Sequence, residues 1–155
     1  MSEQISRPTY KDFTTAAPEV YAGLATLTRA VDAAGIEKAL TELVKVRVSQ
    51  LNGCAFCLQF HLTLARRSGV EERKLDLLAA WRDAGIYSAR EQAALAWAEA
   101  LTGLEAHAAS PEAWAAVRAV FSETDALHLT VTVASINAWN RIGVGLAFAP
   151  PQPAG

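Results

Sequence analysis

Between Glu42 and His61 the chain reads E-L-V-K-V-R-V-S-Q-L-N-G-C-A-F-C-L-Q-F-H, and this stretch holds both cysteines of the protein, Cys54 and Cys57. Asn52–Gly53 is a strong chain breaker, so two segments meet just before the first cysteine. If a helix starts at Cys54, then Cys54, Cys57 and His61 lie at i, i+3 and i+7 and share one stripe. A carboxylate on the preceding segment, Glu42, can then fold back onto that stripe. Any fold of this chain has to accommodate that juxtaposition.

The segment before the break is ambiguous. Val44, Val46 and Val48 alternate with Lys45 and Arg47, as in a strand. Leu40, Leu43, Val44, Val48 and Leu51 also fit one face of a helix. No second convincing strand is available to pair with it, and a lone strand is unstable, so a helix is expected over 37–51. The rest of the chain reads as helices. Pro18 opens one that carries Val20, Leu24, Leu27 and Val31 and stops at Gly35. The helix from Cys54 runs to Arg67, with Gly69 beyond it. A helix is expected over 71–83 with Leu75, Leu78 and Trp81 inward. Ser88 and Glu91 form a capping-box pattern ahead of a helix over 89–103. Ser110–Pro111 begins another with Trp114, Val117 and Phe121, and Ser122 opens a last one reaching about Phe148. The expectation is an all-α, single-domain helical bundle over 17–148, with a polar arm over 1–16 and a loose tail over 149–155. V-K-V-R-V-S-Q-L-N-G (44–53) is similar to L-T-V-T-V-A-S-I-N-A (129–138), a short match that suggests two related helical hairpins.

A 155-residue chain buries about 70% of its unfolded surface, enough for a core without covalent staples. Net charge is −2 and no basic stripe stands out, which argues against nucleic acid as a partner. No apolar run reaches the ~18 residues of a membrane span. The N-terminal M-S-E-Q-I-S-R-P lacks an apolar signal core, so a cytoplasmic protein is expected. In that reducing compartment two cysteines point to catalysis or metal binding before a structural disulfide.

The chemistry follows from residue types. A thiol at a helix start, as at Cys54, feels the positive end of the dipole and ionises more easily. His61, four residues after Cys57, can take a thiol proton directly or through water. Glu42 can orient the imidazole. The thiolate can attack a peroxide or a disulfide, and the second cysteine then closes a Cys54–Cys57 disulfide. Zinc is the chief rival, but it needs four ligands. Only Cys54, Cys57 and His61 lie close in sequence, with His107 and His128 far along the chain. No cofactor or metal is expected. Ser135, Asn137, Asn140 and Arg141 are polar insertions in an apolar helix, placed either to fix helix packing or to line the active-site cleft or a subunit interface. Trp81, Trp97, Trp114 and Trp139 are expected in the core or at an interface.

On these residues the sequence resembles the alkylhydroperoxidase D-like branch of the carboxymuconolactone decarboxylase superfamily. The family pattern is Glu, eleven residues, C-x-x-C, three residues and His, and Glu42, Cys54, Cys57 and His61 match it; the likeness covers roughly residues 15–148. The resemblance implies a bundle of about six to eight helices, a homo-oligomer (trimer or hexamer), and reduction of hydroperoxides or partner disulfides with an outside thiol as electron donor. It implies Cys54 and Cys57 as the redox pair and Glu42 and His61 as their proton relay. Cys57 is then the thiol served by His61, although the helix dipole favours Cys54. Phe56 stands where the best-studied type carries a further histidine, which removes one hydrogen-bond donor. Other readings of the same cleft are a decarboxylase-like lyase with incidental cysteines, and a non-catalytic redox-sensing oligomer.

Overall fold

A computed structural model describes residues 6–105 and 108–152. Among them there are nine α-helices and a short 3-10 turn, and no strand. None of the helices is long and apolar enough to cross a membrane.

The centre of the bundle is the ambiguous segment, which forms a helix, α3 (Lys38–Asn52). Val44, Val46 and Val48 are all fully buried, and Lys45 is nearly so. The alternation that mimics a strand is that of a helix enclosed on nearly every side. Gly53 ends it at φ +65°, a left-handed cap that favours glycine. α4 (Ala55–Arg67) leaves at once, with Cys54 as its N-cap residue. The Asn52–Gly53 break therefore produces a tight α3–α4 hairpin.

Two apolar clusters flank α3. Leu40, Val44 and Val48 pack with Trp97, Leu129 and Val133 on one side. Leu43 and Val46 pack with Ala65, Leu78 and Leu95 on the other. Burial of Leu43, Leu78, Leu95 and Leu129 contributes about 1.5–3 kcal/mol each. The opposing helices are α7 (Ala89–Gly103), opened by the expected Ser88–Glu91 capping box, and α9 (Glu123–Gly145), with α8 (Pro111–Arg118) beside them. The matched segments 44–53 and 129–138 lie on α3 and α9. Their equivalent asparagines, Asn52 and Asn137, hydrogen-bond each other at 3.0 Å.

Three expectations need correction. The stretch 71–83 is not one helix but α5 (Glu72–Asp76), a 3-10 turn (Leu78–Ala80) and α6 (Trp81–Ala84). Its inward residues Leu75, Leu78 and Trp81 recur every three positions, the 3-10 period rather than 3.6. The arm contains a helix, α1 (Tyr10–Ala16), capped reciprocally by Thr9 and Asp12. α1 buries no residue completely, so it carries no apolar period to read. It leads into α2 (Pro18–Asp32). Finally, α9 stops at Gly145, and the chain folds back so that the Phe148 N–H donates to the Gly143 carbonyl at 3.0 Å. That return buries Phe148. These splits and additions raise the helix count above the expected six to eight.

Candidate active site

The α3–α4 hairpin brings all four predicted residues together. Glu42 on α3 has no solvent exposure, and its Oε2 lies 2.7 Å from His61 Nδ1 on α4. Its other oxygen accepts from Lys38 Nζ at 2.7 Å and Lys45 Nζ at 3.0 Å. Both lysines also reach Asp32 at the end of α2, at 2.6 and 3.1 Å. Two cations and two carboxylates thus neutralise each other behind the histidine. Burial pushes the Glu42 carboxyl up, but the His61 hydrogen bond and the Lys45 charge outweigh it and hold the group at about 2. Burial lowers the His61 value, against the pull of Glu42. A neutral imidazole results. An ionised carboxylate can only accept, so Nδ1 carries the proton and Nε2 is the free base.

Cys54 and Cys57 are buried, free thiols. The Cys57 backbone N–H donates to Cys54 Sγ at 3.3 Å, the N-cap bond of α4. The Cys57 thiol gives its proton toward the same sulfur. That bond, helped by the Cys57 and Phe56 amides and the Asn140 side chain, overcomes burial and lowers Cys54 to about 7. Cys57 moves the other way, upward, because its proton is held by Cys54 and because it is buried. His61 makes no direct hydrogen bond to either thiol; it shares a cavity wall with Cys57.

α9 closes the site from the other side. Asn140, fully buried, donates to Ser49 Oγ at 3.0 Å and accepts from Asn52 at 2.9 Å. Among the polar insertions, Asn137 and Asn140 tie α9 to α3, Arg141 bonds back to Asn137, and Ser135 lines the cavity. The packing and cleft readings of these insertions are therefore both realised, at different residues. Of the tryptophans, Trp139 faces the cavity, while Trp81 and Trp97 are core.

The cavity measures about 240 Å³. Cys57, His61 and Lys45 line it together with the rings of Tyr10, Tyr21, Phe56, Phe60 and Trp139. Tyr10 comes from α1, and its ring packs 5.0 Å from Phe56 and 5.6 Å from Phe148. Among the described residues no three His, Cys, Asp or Glu side chains are grouped to hold a metal; His107 lies outside those residues.

Sequence reasoning missed Asp32, Lys38, Lys45, Tyr10 and Gly143. The lysines had a signal, since 38, 42 and 45 are spaced i, i+4 and i+7 along one helix. Gly143 had none. A Cβ there would lie 2.8 Å from Cys54 Sγ and 3.4 Å from Cys57 Sγ, so only glycine lets α9 approach both sulfurs this closely. Gly143→Ala is expected to displace the thiols and cost about 1–3 kcal/mol by overpacking. Gly145→Ala, which meets nothing within 4 Å, is the control and should be neutral or stabilising. Urea denaturation of the two variants checks this; equal stability would contradict the close-approach role of Gly143.

Comparison with known proteins places this geometry. The sequence profile of the carboxymuconolactone decarboxylase family matches residues 18–100, which include the whole α3–α4 hairpin. The chain belongs to this family. The uncharacterized protein YdfG of Bacillus subtilis is 37% identical over 111 residues, 72% of this chain and 76% of YdfG. A crystal structure from Agrobacterium tumefaciens, of a protein of unknown function described as a candidate antioxidant defence protein AhpD, is 33% identical. It superposes with a TM-score of 0.88 over 96% of this chain and 99% of its own. An uncharacterized peroxidase-related protein with an alkylhydroperoxidase AhpD core, from Ralstonia eutropha, shares the fold at 19% identity, with a TM-score of 0.79 over 91% of this chain and 75% of its own. The all-helical architecture of this member is thus alkylhydroperoxidase D-like.

Proposed function

We propose that this family member is a dithiol oxidoreductase that reduces hydroperoxides, or the disulfides of a partner, through Cys54 and Cys57. The observation that carries the reading is a neutral His61, held by the ionised Glu42, on the same cavity wall as Cys57, with the more acidic Cys54 directly behind. The two thiols share one proton once the first is lost, and the sulfur open to the cavity is Cys57. His61 Nε2 removes a proton from the pair. Cys57 passes the remaining thiol proton to Cys54 as its sulfur attacks a peroxide oxygen, forming S–O as O–O breaks, and the imidazolium protonates the departing alkoxide to an alcohol. Cys54 then attacks the sulfenic sulfur; S–S forms, S–O breaks, and hydroxide leaves as water with the remaining thiol proton. An outside dithiol returns the two electrons by exchange. The all-helical architecture, the buried thiols and the likeness to the Agrobacterium protein support this reading.

The test is turnover of cumene hydroperoxide with a small dithiol reductant. His61→Ala is expected to reduce kcat/KM by about 10²–10⁴-fold and to remove the limb of the pH profile that belongs to the base. Undiminished turnover in this variant would remove the relay from the mechanism. Turnover of a substrate that survives loss of both thiols would favour a lyase.

A further inference from the structure

The cavity walls carry information about substrate that the thiols do not. Hydrogen peroxide is two oxygen atoms; a cavity of about 240 Å³ would hold it among several waters at about 30 Å³ each. Five aromatic rings surround that space, from Tyr10, Tyr21, Phe56, Phe60 and Trp139. Such a wall favours an apolar, preferably aromatic body that fills it and displaces the water.

The charges are unequal across the site. Lys38 and Lys45 are matched one for one by Asp32 and Glu42, and His61 is neutral. The remaining charged residue on the cavity lining is Arg29, on α2. Its guanidinium donates one hydrogen bond, to Thr26 Oγ1 at 2.9 Å, and among the described residues it makes no ion pair. A guanidinium has five N–H donors in a planar fork suited to a carboxylate. Arg29 is exposed where Lys45 is buried, so an incoming anion meets Arg29 at the mouth while the body of the ligand lies along the rings toward Cys57.

Building on the thiol reading above, we propose that the cavity takes organic hydroperoxides with an apolar aromatic body and a carboxylate, and that Arg29 is the residue that reads the carboxylate. A cationic substrate is disfavoured by the same unbalanced charge. The peroxide end reaches Cys57, and the distance from mouth to thiol sets which carboxylated substrates fit.

The experiment uses the product alcohols, which bind without reacting. Affinities of cumyl alcohol and its para-carboxylated form are measured by titration calorimetry on the reduced protein and on Arg29→Gln. The carboxylated alcohol is expected to bind wild type about tenfold more tightly than cumyl alcohol. Arg29→Gln should bring the two to the same affinity, and added salt should shrink the wild-type difference. Equal affinities in wild type, or a preference that survives Arg29→Gln, would overturn the proposal. A parallel arm adds cumene hydroperoxide to wild-type protein and follows disulfide formation. Disulfide formation without carboxylate preference leaves the thiol reading standing and removes this one. Carboxylate preference without disulfide formation removes the thiol reading and leaves the ligand class.

Discussion

Cys57→Ser is expected to reduce peroxide turnover to the uncatalysed background, whereas Cys54→Ser is expected to permit one event and then stop. The asymmetry follows from position. Cys57 lines the cavity and Cys54 does not, so only Cys57 presents its sulfur to a peroxide oxygen. A serine hydroxyl there has no accessible anion near neutral pH and no comparable nucleophilicity. In Cys54→Ser the first oxidation still occurs, but nothing resolves it. Cys57 sulfenic acid should accumulate to about one per chain and react with a dimedone-type trap. Loss of the Cys54 thiolate also removes the partner that holds the Cys57 proton, so the rate of that single event reports how far the pair acts as a unit. Trapped sulfenic acid on Cys54 in the Cys57→Ser protein, with continued turnover, would reverse the assignment.

Glu42→Ala is expected to destabilise the protein by about 3–5 kcal/mol, because one partner of a buried charge network is removed and the rest is left unpaired. For a chain of this size that is a fall in Tm of about 10 °C. Lys38 and Lys45 would compete for Asp32 alone, and the His61 Nδ1–H would lose its acceptor. Glu42→Gln keeps an oxygen for His61 and should cost less in stability, yet it abolishes the charge that fixes the imidazole. The pH dependence has a definite sign. Glu42 is held at about 2, below the ordinary 4.5. Its contribution is complete above 4.5 and is lost as pH falls through 4.5 toward 2. His61 is lowered by burial, so below about 6.5 the unfolded chain binds a proton that the folded site resists. That contribution too is complete above 6.5 and lost on acidification. Urea midpoints measured downward from neutral pH should therefore fall monotonically in wild type. In Glu42→Ala the fall between 4.5 and 2 should be shallower. A variant as stable as wild type at neutral pH would contradict the network.

The residues show why some of this was legible in sequence. Glu42, Cys54, Cys57 and His61 lie within one hairpin, so helical spacing and a single Asn–Gly break were enough to bring them together. α3 was readable only by elimination, because complete enclosure erases the one-sided period that marks most helices; Val44, Val46 and Val48 are all buried. The 71–83 stretch misled because a three-residue repeat resembles a helical one over so short a length. Gly143, Asp32 and Tyr10 come from other helices, and their arrival at the thiols depends on tertiary packing that no local pattern encodes. The polar insertions of α9 declared that something polar lay opposite. Only the fold identified it as Ser49 and Asn52 for Asn140, and the cavity for Ser135.

The most direct measurement is the intact mass and thiol count of fully reduced protein after one equivalent of cumene hydroperoxide. The account predicts loss of two hydrogens and of both free thiols, one alcohol formed per chain, and an intramolecular Cys54–Cys57 disulfide that a dithiol reverses. Two unreacted thiols, or disulfides formed only between chains, would contradict it.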